Sequence, residues 1–301
     1  MSVNIQSLHK LSIAIIGAGI VGLATAAFLR KHPRYSVTVY ERRNAQLTEN
    51  SAAIGIRTDL PIVKQLGISR DEIDAVVCAG YRTYTVHEEQ MSKSSVGDGP
   101  DGDGAMWLVI RQDLKDALLR RVTCREGDGE PIRIVYGSQV VNVDPDAGLV
   151  QFDNGTSAEV DLIIGADGIH STVQPSSHLH THGPSQVASP YTRFVIPMDA
   201  VKSAIEPTDK WPAMYNCGED TYISIVAADG DRHAVMYPCR GHTFMNVGYT
   251  VSDSSFKDLN QLDYSWRATG SVDEMVESAH GFPAWLRRVF SRTPKVDLFS
   301  R

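Results

Sequence analysis

The sequence predicts an α/β fold in which an N-terminal βαβ unit is interrupted by a β-rich second domain. Three observations carry this. Residues 13–41 run strand, glycine turn, helix, strand; residues 193–251 pattern almost wholly as strands; and the composition is that of an ordinary globular chain. With 301 residues, 42% apolar and 22% charged, there is room for about two domains and a sizeable core. A disordered, collagen-like or coiled-coil protein is excluded. The formal charge of -7, from 29 basic and 36 acidic residues, argues against a nucleic-acid partner or a polybasic membrane contact. The four cysteines (Cys78, Cys124, Cys217, Cys239) form no CxxC pair and suit a reducing, cytoplasmic compartment.

The first element has a rival reading. Residues 11–29 carry no charge, which also fits a membrane span or, led by Lys10, a signal peptide. Gly17, Gly19 and Gly22 oppose both, since each costs roughly 1 kcal/mol against Ala in a continuous helix. Ile13–Ile16 is β-rich, and the Ala/Leu-rich segment after the glycines ends at Arg30-Lys31. Strand, tight turn and helix follow from that order. No other segment is long enough to span a bilayer.

The turn itself points to a ligand. GAGIVG, Gly17–Gly22, matches G-x-G-x-x-G, and a second strand, Val37–Tyr40, ends at Glu41, 19 positions after Gly22. That is the spacing of an acidic residue that holds a ribose in a Rossmann-like unit. Gly17 permits the tight turn, Gly19 lets backbone approach a pyrophosphate, and Gly22 lets helix and strand pack closely. The helix N-terminus offers free N–H groups and a positive dipole end to phosphate. Glu41 accepts from both ribose hydroxyls and would repel a 2′-phosphate, so the first nucleotide is FAD or NAD rather than NADP.

Beyond Glu41 lies a small-residue run, Ser51–Ile56, where backbone could approach a ligand. Residues 61–67 and 71–77 read as helical, and Tyr81–His87 alternates as a strand. The Gly/Asp-rich run from Val96 to Gly104 reads as a flexible surface loop. Met106–Ile110 is a strand feeding a helix from Arg111 to Val122. Short strands fill 132–164, with Asp153-Asn154-Gly155 as a hairpin turn. Residues 193–197, 221–227, 233–237 and 244–251 are strands, and 272–290 hold two helices, the second opened by Pro283.

Two further motifs carry a family resemblance: Arg111-Gln112-Asp113-Leu114, opening a helix after a strand, and GADGIHS, Gly165–Ser171, closing one. With Gly17–Gly22 and Glu41 they resemble the single-component FAD-dependent monooxygenases of the salicylate hydroxylase and para-hydroxybenzoate hydroxylase type. The resemblance covers nearly the whole chain. It implies a Rossmann-like FAD-binding domain, residues 1–80 and 106–175, interrupted by a β-rich substrate domain, residues 81–105 and 176–301. It also implies flavin contacts at Arg111 and Asp167 and, by position, at Ala53. Tyr191–Pro197 and Tyr237–Arg240 are similar to substrate-domain segments of fungal members. In the branch that dearomatises phenols, an arginine and a tyrosine hold the substrate as phenolate. Arg193 matches that arginine and Tyr222 is the candidate tyrosine. Both also have a structural reading, as an ion-pair partner and as a packed strand tyrosine.

The resemblance implies an oxidoreductase, a flavoprotein in which NAD(P)H reduces FAD and a flavin hydroperoxide delivers oxygen from O₂ to an aromatic ring. The expected substrate is a phenolic or polyketide-derived aromatic of secondary metabolite biosynthesis. Members normally return to the FAD domain through a GDAAHP-type motif, whereas this sequence stops at Lys295–Arg301 without one. One strand and a helix of that domain are therefore expected to be missing, leaving an exposed sheet edge and a half-open flavin site. Gln174 stands where the family often has arginine. A catalytically impaired, truncated paralogue is the alternative; an NAD-dependent dehydrogenase would need a Tyr-x-x-x-Lys pair that does not occur. The run His178-Leu179-His180-Thr181-His182 lacks carboxylates or cysteines nearby, so no metal site is expected.

Overall fold

A computed structural model describes residues 10–45, 52–97, 104–176, 191–207, 221–228, 232–250, 268–294 and 296–299. The chain first runs β1 (Leu11–Ile16), α1 (Ile20–Leu29), β2 (Tyr35–Glu41), β3 (Ala53–Arg57), α2 (Pro61–Leu66), β4 (Val76–Cys78), β5 (Gly80–Thr85) and β6 (Gln90–Ser95). Next come β7 (Met106–Ile110), α3 (Arg111–Thr123), β8 (Arg133–Tyr136), β9 (Val140–Asp144), β10 (Leu149–Phe152), β11 (Ser157–Glu159) and β12 (Leu162–Gly165). The last part holds β13 (Tyr191–Pro197), α4 (Met198–Ser203), β14 (Tyr222–Ala227), β15 (His233–Cys239) and β16 (Phe244–Thr250). It ends with β17 (Ala268–Gly270), α5 (Val272–Ser278), α6 (Ala284–Ser291) and β18 (Val296–Phe299). Two compact units result: residues 1–48 with 114–184, and residues 49–113 with 185–301.

In the first unit a parallel sheet has the order β12-β1-β2-β8. A central parallel strand is covered on both faces and so reads as a continuous apolar run. Ile13, Ala14, Ile15 and Ile16 are accordingly all buried. The apparent membrane stretch is this strand, the glycine turn and α1; among the described residues no helix is long and apolar enough to cross a membrane. Val140, Val143, Val150 and Phe152 of the β9–β11 meander pack on Ala14 and Ile16. Its β10–β11 turn is the expected one, with Gly155 at φ 80°. Arg30, only 6% exposed, donates to the carbonyls of Arg121, Cys124, Glu126 and Gly129. It thereby satisfies groups that the end of α3 would leave orphaned.

In the second unit an eight-stranded sheet has the order β17-β18-β13-β16-β15-β14-β5-β6. One face packs on α4–α6 through residues such as Ile196, Met236, Tyr249, Trp285 and Phe290. The other carries Ile223, Tyr237 and Cys239 against the smaller sheet β3-β7-β4, from which Ala53, Cys78, Leu108 and Ile110 project. Residues 52–80 and 106–113, expected with the nucleotide-binding domain, pack here because of that second apolar face.

The helix expected over 71–77 is a 3₁₀ turn, Asp71–Ile73, followed by β4. Asp74 at φ 45° ends the turn, and the β-branched Val76 and Val77 pair with Leu108 and Trp107. Residues 98–103 of the Gly/Asp-rich loop and the histidine run 178–182 lie outside the described residues.

Candidate functional site

The first unit gathers five of the sequence-derived residues at the carboxyl ends of its strands. β1 lies between β2 and β12, so the chain order reverses at β1, the place where open α/β sheets form a ligand crevice. Gly17 N–H donates to Tyr40 O at 2.8 Å, and Ala166 N–H to Ile16 O at 2.8 Å. The turn after β1 and the turn after β12 touch. A Cβ on Gly17, whose φ is 107°, would lie 2.4 Å from Ala166 O and 3.1 Å from Asp167 Cα. A Cβ on Gly22 would lie 1.9 Å from Gly17 O. Gly19 differs: a Cβ there would meet nothing within 4 Å. It caps α1 without a side-chain bond, and the first turn of that helix carries no acidic residue. The positive end of α1 thus opens onto space beside a glycine, a cradle that fits a phosphate.

Glu41 closes one side. It is 5% exposed, and its Oε2 accepts from Ala18 N–H at 2.9 Å. Its Oε1 accepts from Arg43 N–H at 3.0 Å and Arg43 Nε at 3.1 Å. Burial alone would push the carboxyl up; the N–H groups of Arg43 and Ala18 and the Arg43 guanidinium outweigh it and hold it below its ordinary value. Glu41 is therefore an ionised acceptor with lone pairs to spare, suited to hydroxyl donors. Asp167 anchors its own loop instead: it accepts from Ser171 Oγ at 2.6 Å, Thr172 N–H at 2.7 Å and Val173 N–H at 3.3 Å.

The second unit holds the other four. Ala53 and Arg111 are brought together, because Arg111 N–H donates to Ala52 O at 2.8 Å where β7 runs into α3. Ala53 is 1% exposed, and both its peptide groups are engaged. Its N–H donates to Asn246 Oδ1 at 3.1 Å, and its C=O accepts from the Tyr237 hydroxyl at 2.8 Å.

Arg193 and Tyr222 are not brought together. Facing residues of neighbouring strands share a side of the sheet, and side chains alternate along each strand. Arg193 faces Gly248, Gly248 faces Val235, and Val235 faces Ile225. Ile225 and Tyr222 are three apart, so Tyr222 projects from the opposite side. It also lies three strands away, about 14 Å across the ladder. Tyr222 is capped instead by cations: the Arg82 guanidinium carbon is 3.7 Å and Lys93 Nζ 5.1 Å from its ring centre. The side of Arg193 carries Asn246 and Tyr237, which the sequence reading did not single out as site residues. Their signal was two polar side chains in strands whose neighbours are apolar.

A family model described as an NAD(P)-binding Rossmann-like domain matches residues 15–46. An FAD-dependent monooxygenase of Aspergillus candidus is 30% identical over 96% of this chain and 66% of its own length. The hispidin-3-hydroxylase of Neonothopanus nambi is 27% identical over 97% of this chain and 69% of its own. The chain spans about two thirds of the length of these curated relatives. Among solved structures, 2-methyl-3-hydroxypyridine-5-carboxylic acid oxygenase superposes with a TM-score of 0.69 at 19% identity, covering 96% of this chain and 70% of that one. A substrate complex of salicylate hydroxylase gives 0.68 at 18% identity, covering 98% and 69%.

Proposed function

The chain belongs to the FAD-dependent monooxygenases by sequence and fold, and on that premise we propose that it binds FAD and takes part in hydroxylating a phenolic or polyketide-derived aromatic. The observation that carries the reading is the open cradle at Gly19, flanked by the ionised Glu41 and the Gly17–Asp167 contact. Glu41 accepts from the adenosine ribose, and the N-terminal N–H groups of α1 receive the pyrophosphate. Asp167 stiffens the turn beside Gly17, and the family resemblance assigns Arg111 to the flavin; Ala53, expected beside it, is 1% exposed with its N–H and C=O both bonded inside its own unit, so it is not assigned a contact. When bound, FAD supplies the activation of O₂ and the transfer of one oxygen atom, with electrons from NAD(P)H.

On the substrate sheet Arg193 holds the substrate oxygen as an oxyanion. A guanidinium offers several N–H donors in a fixed plane, a geometry suited to an oxyanion. A phenolate is a more electron-rich ring than a phenol, so this contact favours attack on an electrophilic oxygen. Tyr222, on the other side of the sheet, is not assigned a share in this step. A cytoplasmic location belongs to the same proposal: Cys78, Cys124 and Cys239 are free thiols.

The visible absorption spectrum of the purified chain, before and after adding FAD, tests the reading. A flavin spectrum that stays with the protein through gel filtration and is bleached by NADPH or NADH supports it. A chain that retains no flavin overturns it. With flavin bound, Arg193→Ala should abolish turnover of phenols while leaving the flavin spectrum in place.

A further inference from the structure

The strand registers place five residues in one straight row on the side of the large sheet that carries Arg193. Arg193 of β13 faces Gly248 of β16, Gly248 faces Val235 of β15, Val235 faces Ile225 of β14, and Ile225 faces Thr83 of β5. On the same side the small sheet buries Ile223, Tyr237 and Cys239. Along the row itself Arg193, Val235, Ile225 and Thr83 are only half-buried. Gly248 adds no side chain between Arg193 and Val235; a glycine inside a strand weakens it and often marks where another group lies against the backbone.

Adjacent strands lie about 4.8 Å apart, so along the row Ile225 is roughly 14 Å and Thr83 roughly 19 Å from Arg193. An arginine lying over Gly248 spans about one of these spacings, and a single phenol ring beyond it covers about one more, as far as Val235. The apolar surface of Ile225 lies past the reach of such a ring, and covering it removes further apolar area from water. We propose that the substrate is a phenol with at least two rings, fused or linked, whose oxygen meets Arg193 and whose second ring lies on Val235 and Ile225. Ile225 is then a specificity-determining residue. The row lies within the second unit, and its assignment rests on the reading of Arg193 as the group that holds the substrate oxygen.

Equilibrium dialysis of phenol, 2-naphthol and 4-phenylphenol against the full chain with FAD added reads binding without turnover. 4-Phenylphenol should bind about tenfold or more tighter than phenol, with 2-naphthol between them. Ile225→Ala should cut that ratio by about fivefold and leave the affinity for phenol unchanged. Ile223→Ala is the matched control. Ile223 lies two residues away on the same side, 8% exposed beneath the small sheet, so its truncation should lower the melting temperature without changing the ratio. Arg193→Ala should weaken all three ligands by the same factor. If wild type binds phenol and 4-phenylphenol equally, or if Ile225→Ala lowers the ratio no more than Ile223→Ala does, the two-ring substrate is overturned and the proposed function stands. If wild type binds none of the three, both fall together.

Discussion

The guanidinium of Arg240 meets the carboxylate of Asp113 through two parallel bonds, Nε to Oδ2 at 2.9 Å and Nη2 to Oδ1 at 2.6 Å. Asp113 sits in the first turn of α3, two residues after Arg111, where a negative charge also suits the helix dipole. Arg240 occupies the β15–β16 turn at φ 46°, a backbone region that side chains other than glycine rarely adopt. The fork geometry gives a reason for arginine at a strained position. Arg240→Ala should destabilise by about 1–2 kcal/mol in urea melts. Arg240→Lys should recover less than half, because an ammonium cannot make the bidentate pair; full recovery by lysine would show that charge alone matters.

The two glycines of the turn after β1 should separate folding from binding. Gly19→Ala meets open space, so its melting temperature should stay near wild type while FAD affinity falls by about tenfold or more. Gly22→Ala drives a methyl into the Gly17 carbonyl and should lower stability by roughly 2 kcal/mol before any ligand is added. Thermal melts and FAD titrations of the two variants, run together, read both effects. Equal loss of stability in both would contradict the open cradle.

Glu41 predicts an acid dependence. Its folded value lies below the ordinary 4.5, so the folded state favours the ionised form. The stability this contributes is complete above pH 4.5 and is lost as pH falls through the folded value. Glu41→Gln should therefore be less stable than wild type at pH 7, with the gap closing toward pH 3. Urea midpoints across that range measure it, and a gap independent of pH would sink the assignment.

The thiols should differ in reactivity. Cys239 is fully buried, and burial pushes its thiol up to about 12. Cys124 is half-buried at the surface of the first unit. At pH 8 a small alkylating reagent should label Cys124 in minutes and spare Cys239 until the protein is unfolded. Peptide mapping by mass spectrometry resolves the two sites.

Much of the first unit was legible because its signals are local. The apolar run of Ile13–Ile16, the glycine spacing and Glu41 all lie within one βαβ unit, where period and turn chemistry speak directly. β4 was not: Val76–Cys78 is too short for periodicity to separate strand from helix. The face of Tyr222 depends on register through two intervening strands, β16 and β15, which no local pattern reveals. Tyr237 and Asn246 act on Ala53 across 184 and 193 positions of chain, so their polar character was visible but their partner was not.

The parallel pairing of β5 with β14, Gly80 opposite Tyr222, sets an order of events during synthesis. The β5–β6 hairpin leaves the ribosome early, and the ribosome then completes the 114–184 stretch of the other unit before β14 exists. Until then β5 presents an uncovered edge, the kind of surface that recruits other chains. Closing so distant a pair is slow, because the intervening loop loses entropy before any contact compensates. Yield in a heterologous host should therefore depend on chaperones that shield this hairpin, and slower translation through 114–184 should lower the yield by prolonging its exposure.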